Sequence, residues 1–446
     1  MKYLALVIAA ALAFPSAASA QRYIGTPAQD LFDQASFFVE FNYNGFSKVN
    51  LSTLVAKYQA QVDSNCTSRA TDCPFSNAER PIALMIRELN DPHSYFVPSE
   101  IAAQFAGQIG GGGIGSPSLE IATTQLSRVS DRVVTDVRED GPAGKAGLKR
   151  GDRIVRLNGQ RLPSSPSQNE GLFLGLEAEG KAMQLSILRD GKTNLEISVT
   201  PILVGTAWLP EIKKPNGLPS TTTVIRIHEF TPFKEVGTKF HELVKTAESQ
   251  GANSIVVDLR DNPGGVATEC TSAPGAFLPE ISNILETRYS RTIYSYKNGL
   301  TSVSNGKSQT EVYNISNPAQ FKGKVAVLVN ADSASCSEVF AAQMQYAKRG
   351  VVIGEETYGV LNTATRLFDL ANGSFIGLTI GKGIRPDGTY ASERVTPDTR
   401  FNEDLENLAQ GRDAMLEKAL EALNVRPSTI VSKPKLPRAF GDLGGI

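Results

Sequence analysis

The sequence contains few of the residues that define several specialised protein classes. Its 446 residues include four cysteines, three histidines and one tryptophan. Four cysteines are too few for a fold held mainly by disulfides. The 45 basic and 46 acidic residues leave a net charge of −1, so the whole chain has no electrostatic preference for nucleic acid or an anionic membrane. Beyond residue 20, no apolar run reaches the roughly 18 residues that a membrane-spanning helix needs.

The first twenty residues have the pattern of an export signal. A single lysine precedes an apolar run at 4–14, and small residues occupy Ala18 and Ala20. The pattern predicts cleavage before Gln21 and an exported protein, periplasmic or secreted; the alternative is an ordinary N-terminal helix. In an oxidising compartment Cys66 and Cys73, seven positions apart, would close a small disulfide loop; otherwise they are two free thiols.

Residues 21–106 are predicted to be mainly helical, and a domain of short strands follows. Apolar side chains such as Leu31, Ala35 and Phe38 recur at helical spacing. After a glycine run, short motifs follow in a fixed order: GPA at 141–143, AGL at 146–148, GD at 151–152 and NG at 158–159. This series resembles a bacterial PDZ domain over residues 107–201.

PDZ domains bind an extended peptide as an added strand and hold its terminal carboxylate with backbone N–H groups. The resemblance implies that Gly113, Ile114 and Gly115 form this carboxylate loop.

Residues 202–425 are predicted to form an α/β unit. Continuous apolar segments alternate with amphipathic ones, which predicts parallel strands joined by helices. The expected strands are 224–227, 254–259, 324–329 and 351–353. One helix is expected to start at Pro232 with Thr231 as its N-cap, and two others are expected over about 337–348 and over 410–424. Ligand chemistry in such sheets sits at the carboxyl ends of the strands. Residues 426–446 are expected to form a flexible tail.

Several motifs in this unit occur in the order of a known peptidase family. They are DLRDNPGG at 258–265, SASCSE at 333–338, GEETYG at 354–359 and VTPD at 395–398. With DPHS at 91–94, the chain from about 30 to 425 resembles the C-terminal processing (tail-specific) peptidases. The resemblance implies an α/β fold with a ClpP/crotonase-like parallel-sheet core, an inserted PDZ domain and a helical N-terminal region. It also implies a serine endopeptidase that recognises C-terminal tails of proteins, with no cofactor, metal or nucleic acid.

The resemblance assigns Ser335 as the nucleophile. A serine between a buried strand and a helix exposes its hydroxyl, and the amide of Cys336 points into the same space. A second amide, from Gly264 or Gly265, would complete an oxyanion hole, since glycine lets the backbone approach the substrate closely. The alternative is that Ser335 only caps the helix.

The sequence departs from the family at the catalytic base, the residue that takes the proton from the serine. Many members have a lysine 25 residues after the serine, but here that position is Val360. Many also have an acidic residue 11 positions after the serine, and here that position is Tyr346. His93 lies where the tricorn-like branch of the superfamily has its catalytic histidine, and Glu393 is the candidate for the third member. We therefore expect a Ser–His enzyme whose activity falls below a pKa of about 6–7.

Two other histidines and one lysine are further candidates. His228 follows a strand and is the alternative base, whereas His241 lies in an amphipathic helix and is expected at the surface. Lys382 is the remaining possibility if neither His93 nor His228 acts.

Two functions of other classes stay open. A PDZ-containing homologue without turnover would act as a peptide-binding adaptor, and a different acyl hydrolase could use the same core. Cys270 and Cys336 form either a disulfide beside the active site or two buried thiols. The sequence does not indicate an oligomeric state.

Overall fold

The computed structural model describes residues 25–66, 73–102, 117–126, 129–203, 208–215, 217–385 and 387–425. The predicted export signal, the predicted carboxylate loop (Gly113, Ile114 and Gly115) and the predicted tail lie outside these residues. Within the described ranges, no helix is both long enough and apolar enough to cross a membrane.

The N-terminal region is helical, as its apolar spacing predicts. It consists of α1 (Pro27–Asn42), α2 (Leu51–Asn65) and α3 (Ser76–Glu88), followed by the short strand β1 (Tyr95–Val97). Thr26 and Asn50 cap the first two helices, because their side chains accept hydrogen bonds from backbone amides of the first turn. A disulfide joins Cys66 to Cys73, so the end of α2 is tied to the segment that leads into α3.

The segment that resembles a PDZ domain forms an antiparallel sheet with two helices. Its elements are β2 (Pro117–Ser118), β3 (Ile121–Gln125), β4 (Arg132–Val137), α4 (Pro142–Lys145), β5 (Arg153–Leu157), β6 (Gln160–Arg161), α5 (Pro166–Glu179), β7 (Met183–Arg189), β8 (Thr193–Val199) and β9 (Ile202–Leu203). The main sheet has the order β3-β4-β5-β7-β8. Leu119, Ile154 and Leu185 are completely buried in its own apolar core.

The remaining described chain contains the α/β unit. In chain order it has β10 (Glu211–Lys213), β11 (Thr222–Arg226), α6 (Val236–Ser249), β12 (Ser254–Asp258), α7 (Ala267–Ser272), a 3₁₀ turn (Ala273–Ala276), β13 (Glu280–Thr287), β14 (Arg291–Lys297), β15 (Leu300–Ser304), β16 (Gln309–Asn314), β17 (Lys324–Val329), α8 (Cys336–Tyr346), β18 (Val351–Gly354), β19 (Thr363–Asp369), β20 (Phe375–Ile384), β21 (Thr399–Arg400), α9 (Leu405–Ala409) and α10 (Ala414–Ala422).

The central sheet has the order β10-β11-β12-β17-β18-β21. Neighbours from β11 to β21 are parallel, and β10 is antiparallel to β11. The carboxyl ends of β12, β17 and β18 therefore meet at one edge of the sheet. The motifs at 258–265, 333–338 and 354–359 follow these three strands, so the fold brings them together.

A second, antiparallel sheet carries the DPHS segment to the same region. Its order is β1-β20-β13-β14-β15-β16, with β19 also paired to β20. Tyr95 of β1 lies opposite Gly377 of β20, and Thr363 of β19 lies opposite Lys382 of the same strand. Because β1 and β19 share β20 as a neighbour, His93 is placed near the start of β19.

Two predicted helices are present with different bounds. Helix α6 begins at Val236 and not at Pro232, because Lys234 has a φ of +67° and Glu269 accepts the amides of Lys234 and Gly237 at 2.8 and 2.9 Å. The helix predicted over 410–424 is present as α10 but begins later, at Ala414, because Gly411 has a φ of +81° and the Asp413 side chain caps the helix.

Candidate active site

Ser335 lies in a strained turn between β17 and α8. Its φ and ψ are +52° and −111°, a region that residues other than glycine rarely adopt. Such strain collects at functional sites, and a serine in a sharp strand-to-helix turn presents its hydroxyl outward. The local geometry is therefore that of a nucleophile turn.

The other two serines of the motif have structural roles. Ser333 and Ser337 are completely buried. The Ser333 hydroxyl donates to the Leu259 carbonyl at 2.8 Å, and the Ser337 hydroxyl donates to the Asn262 carbonyl at 2.9 Å. These bonds hold the SASCSE turn against the DNPGG loop, whereas Ser335 is partly exposed. Of the three serines, Ser335 is the one that a substrate can reach.

Gly264 brings the DNPGG loop into direct contact with this turn. A Cβ placed on Gly264 would lie 2.7 Å from the Ser335 Cβ and 3.0 Å from the Cys336 nitrogen, so only glycine fits there. Its own amide donates to the Asn262 side-chain oxygen at 2.9 Å. The amides of Gly265 and Cys336 donate to no other described residue. The geometry therefore favours Gly265 over Gly264 as the second donor.

Glu338 connects the nucleophile turn to the next loop. Its buried carboxylate accepts the Ser335 amide at 2.8 Å and the Val360 amide at 3.0 Å. It also accepts the Thr357 hydroxyl at 2.6 Å and the Gly359 amide at 2.9 Å. Burial raises the pKa of Glu338. The sequence showed this residue only as the last letter of a motif, so its linking role was missed.

His93 is held by contacts at its backbone and at its ring. Its amide donates to Asp91 Oδ1 at 3.0 Å, and its carbonyl accepts the Thr365 hydroxyl at 2.5 Å. Burial lowers the pKa of His93 to about 4, an effect that Asp91 partly offsets. The imidazole is therefore neutral at ordinary pH, the state that a base requires.

Thr363 contacts the ring of His93 and also the Val360 carbonyl. The His93 Nδ1 lies 2.8 Å from Thr363 Oγ1, and that hydroxyl donates its hydrogen to the Val360 carbonyl at 3.2 Å. A Thr363 hydroxyl that donates to Val360 accepts from Nδ1–H of the His93 ring. Nε2 is then the unprotonated nitrogen and can take up a proton. No sequence motif marks Thr363.

Ser335 and His93 lie at the two ends of one set of contacts. Ser335 bonds Glu338, Glu338 bonds Val360, and Val360 bonds Thr363, which contacts the His93 ring. Among the described residues, no hydrogen bond joins Ser335 directly to His93.

The structure does not bring Glu393 to His93. The Glu393 carboxylate is 61% exposed and pairs with Arg394 at 2.8 Å. Val360, in the family's lysine position, is buried and has no proton acceptor. Lys382 places its Nζ 4.9 Å from the centre of the Phe46 ring. Thr363, and not Glu393, is the described partner of the His93 ring.

The other histidines are also engaged elsewhere. His228 is stacked on Trp208 at 3.8 Å, with its ring nitrogens 2.7 Å from Asp136 and 2.8 Å from Glu211. His241 was predicted at the surface, but it is completely buried, with Nε2 3.0 Å from the Ser272 carbonyl. The helical period identified its helix but not the 3₁₀ turn that covers it.

His228 is part of the contact between the PDZ-like segment and the core. Asp136 on β4 pairs with Arg226 on β11 at 2.7 Å, and both are buried. Burial opposes ionisation of Asp136, yet Arg226 and His228 hold its pKa well below the ordinary value. These contacts assign His228 to the domain contact.

A disulfide joins Cys270 of α7 to Cys336 at the start of α8. The sequence left this pairing open.

Comparisons with known proteins bear out the peptidase family and the PDZ domain that the sequence resembles. Residues 221–401 match the model of peptidase family S41, and residues 117–200 match a PDZ domain model. The carboxy-terminal processing protease CtpA of Bacillus subtilis is 26% identical over 312 residues, which cover 70% of this chain and 60% of that protein. A CtpA-like serine protease assigned in Staphylococcus aureus is 25% identical over 388 residues, covering 82% and 68% of the two chains.

A solved structure shares the fold. The crystal structure of a candidate S41 protease from Bacteroides fragilis matches with a TM-score of 0.57 and 16% identity, over 87% of this chain and 96% of that one. Matches to the first curated relatives span about 60% of their length.

Proposed function

Because this chain combines a peptidase family S41 domain with a PDZ domain, we propose that it is a serine endopeptidase that cleaves proteins bound by their C-terminal tails. The observation that carries the proposal is the turn at Ser335. A partly exposed serine at positive φ directly precedes the Cys336 amide and packs against Gly264, whose neighbour Gly265 offers the second amide. Neither amide has another partner among the described residues. A nucleophile next to two free donors is what acyl transfer requires.

The proposed reaction uses Ser335 and His93 in two steps. The Ser335 oxygen attacks the peptide carbonyl carbon while its proton passes to His93 Nε2. The carbonyl oxygen becomes an oxyanion that the amides of Gly265 and Cys336 bind. His93 then gives the proton to the leaving amine, which departs and leaves an acyl ester on Ser335. Water, deprotonated by His93, hydrolyses the ester and restores the hydroxyl.

This mechanism requires His93 and Ser335 to move closer together. Hydrogen bonds between catalytic groups are often long without substrate and shorten in the complex. The loop from Val360 to Thr363 contacts both groups through Glu338 and the His93 ring, so a shift of this loop would change their separation.

Tail recognition and export complete the proposal. The PDZ-like segment would bind the substrate's terminal carboxylate at Gly113, Ile114 and Gly115, and the pattern at 1–20 would direct the protein out of the cytoplasm. A tail peptide with a free carboxylate should then bind more tightly than the same peptide with an amidated end, measured by fluorescence anisotropy on the Ser335→Ala variant.

A serine-directed probe tests the enzymatic function. A fluorophosphonate should label the purified protein at Ser335, as peptide mapping would show, and the label should be absent from Ser335→Ala. The same variant should lose cleavage of tail peptides while keeping its Tm. An unlabelled wild type that still binds free tail peptides would identify the protein as an adaptor.

A further inference from the structure

The disulfide between Cys270 and Cys336 lies directly beside the proposed oxyanion hole. Cys336 carries one of the two donor amides and is the first residue of α8. Cys270 is in α7, which begins two residues after Gly265, the carrier of the other amide. The disulfide thus joins the two chain segments that supply the donors.

The sulfur of Cys336 also packs against the backbone of the glycine loop. It lies 3.5 Å from the Gly265 carbonyl oxygen and 3.4 Å from the Val266 carbonyl oxygen. A sulfur in a disulfide has no hydrogen to donate, so these are packing contacts. Both cysteines are almost completely buried, at 2% and 3% exposed. The bond therefore packs against the two peptide groups that directly follow the second donor amide.

Among the described residues, hydrogen bonds to the turn at Ser335 come only from the earlier part of this loop. The later part is bonded to Phe230 instead: the Gly264 carbonyl accepts the Phe230 amide at 2.7 Å, and the Val266 amide donates to the Phe230 carbonyl at 2.8 Å. Asn262 accepts the Ala334 amide at 3.0 Å and the Ser337 hydroxyl at 2.9 Å through its carbonyl. From 264 to 272, no hydrogen bond in the described structure reaches residues 335–338. In that stretch the two segments are joined by the disulfide and by the close packing of Gly264 against Ser335.

We propose that the Cys270–Cys336 disulfide positions the oxyanion hole by fixing the separation of the Gly265 and Cys336 amides. The inference rests on the proposed peptidase function. Both donors must lie within hydrogen-bond distance of one developing oxyanion, and an error of about 1 Å can lower a rate by about 10²-fold. The two cysteines are positioning residues, whose effect falls on the transition state and not on substrate binding.

The test is the double variant Cys270→Ala/Cys336→Ala, with Cys66→Ala/Cys73→Ala as the matched control. The first should lower kcat for a tail peptide by about 10²-fold and leave KM nearly unchanged. The control removes a disulfide in the N-terminal helices and should leave kcat unchanged. Affinity for a peptide boronate, whose serine adduct is tetrahedral, should fall in parallel with kcat in the first variant only. Wild-type kcat and boronate affinity in a folded first variant would overturn the proposal.

Reduction gives a second measurement if the double variant does not fold. In the Cys66→Ala/Cys73→Ala protein, the remaining disulfide is the one beside Ser335. Dithiothreitol would convert it to two thiols and itself become a cyclic disulfide, and glutathione disulfide would reverse the change. Activity should fall and return with the thiol count measured by mass spectrometry. Full activity in the reduced protein would refute the inference, whereas full activity in Ser335→Ala would refute the proposed function.

Discussion

At the scale of single residues, the environment of His93 determines the pH range in which it can act as a base. An imidazole must be neutral to accept a proton, and burial lowers the pKa of His93 to about 4. The acid limb of kcat/KM for the free enzyme should therefore lie near pH 4, below the 6.5 of an unperturbed histidine. His93→Ala should lose about as much activity as Ser335→Ala, because members of one catalytic unit are not additive. A limb near 6.5, or an active His93→Ala, would contradict this assignment.

Variants of Thr363 and Glu393 distinguish which of the two residues orients His93. Thr363→Val keeps the shape but removes the acceptor for Nδ1–H, and a neutral hydrogen bond contributes about 1 kcal/mol. We expect kcat/KM to fall by about fivefold in Thr363→Val and to stay at the wild-type level in Glu393→Gln, measured on one tail peptide. The reverse order would restore Glu393 as the third member.

At the scale of elements, Glu338 joins the start of α8 to the loop that leads into β19. Four donors point at its carboxylate, so Glu338→Gln would place an amide NH₂ against one of them. An unpaired buried polar group costs about 1–3 kcal/mol, and we expect the free energy of unfolding in urea to fall by that amount. Because the variant also releases the Ser335 amide or the Val360 loop, kcat should fall more than KM rises. Unchanged kcat in a destabilised protein would limit Glu338 to a structural role.

The elements that could be predicted from the sequence are those whose signal is local. The strand 324–329 was predicted with the bounds it has, because a continuous run of apolar residues indicates a buried parallel strand. The start of α6 was missed because Glu269, distant in sequence, binds the amides at its first turn. Thr363 was missed for the same reason, since its contact with His93 depends on β1 and β19 both pairing with β20.

At the scale of the whole molecule, burial of two histidines should make stability depend on pH. The pKa values of His93 and His241 are both lowered to about 4 by burial. Between their unfolded value near 6.5 and about 4, the unfolded chain binds more protons, so stability is present above pH 6.5 and is lost as the pH falls. Each histidine should remove about 2–3 kcal/mol by pH 4.5.

The variant His241→Gln isolates one of these contributions. Burial raises the pKa values of Glu269 and Glu338, which acts in the opposite direction in the same pH range, so the wild-type profile alone is a mixture. Glutamine cannot take up a proton, and those carboxyl groups stay in place. The loss of unfolding free energy between pH 7 and 4.5, measured in urea, should therefore be smaller by about 2–3 kcal/mol in His241→Gln than in wild type. Equal losses in the two proteins would mean that His241 does not resist protonation in the folded state, and that its burial against Ser272 contributes nothing to the acid sensitivity of the fold.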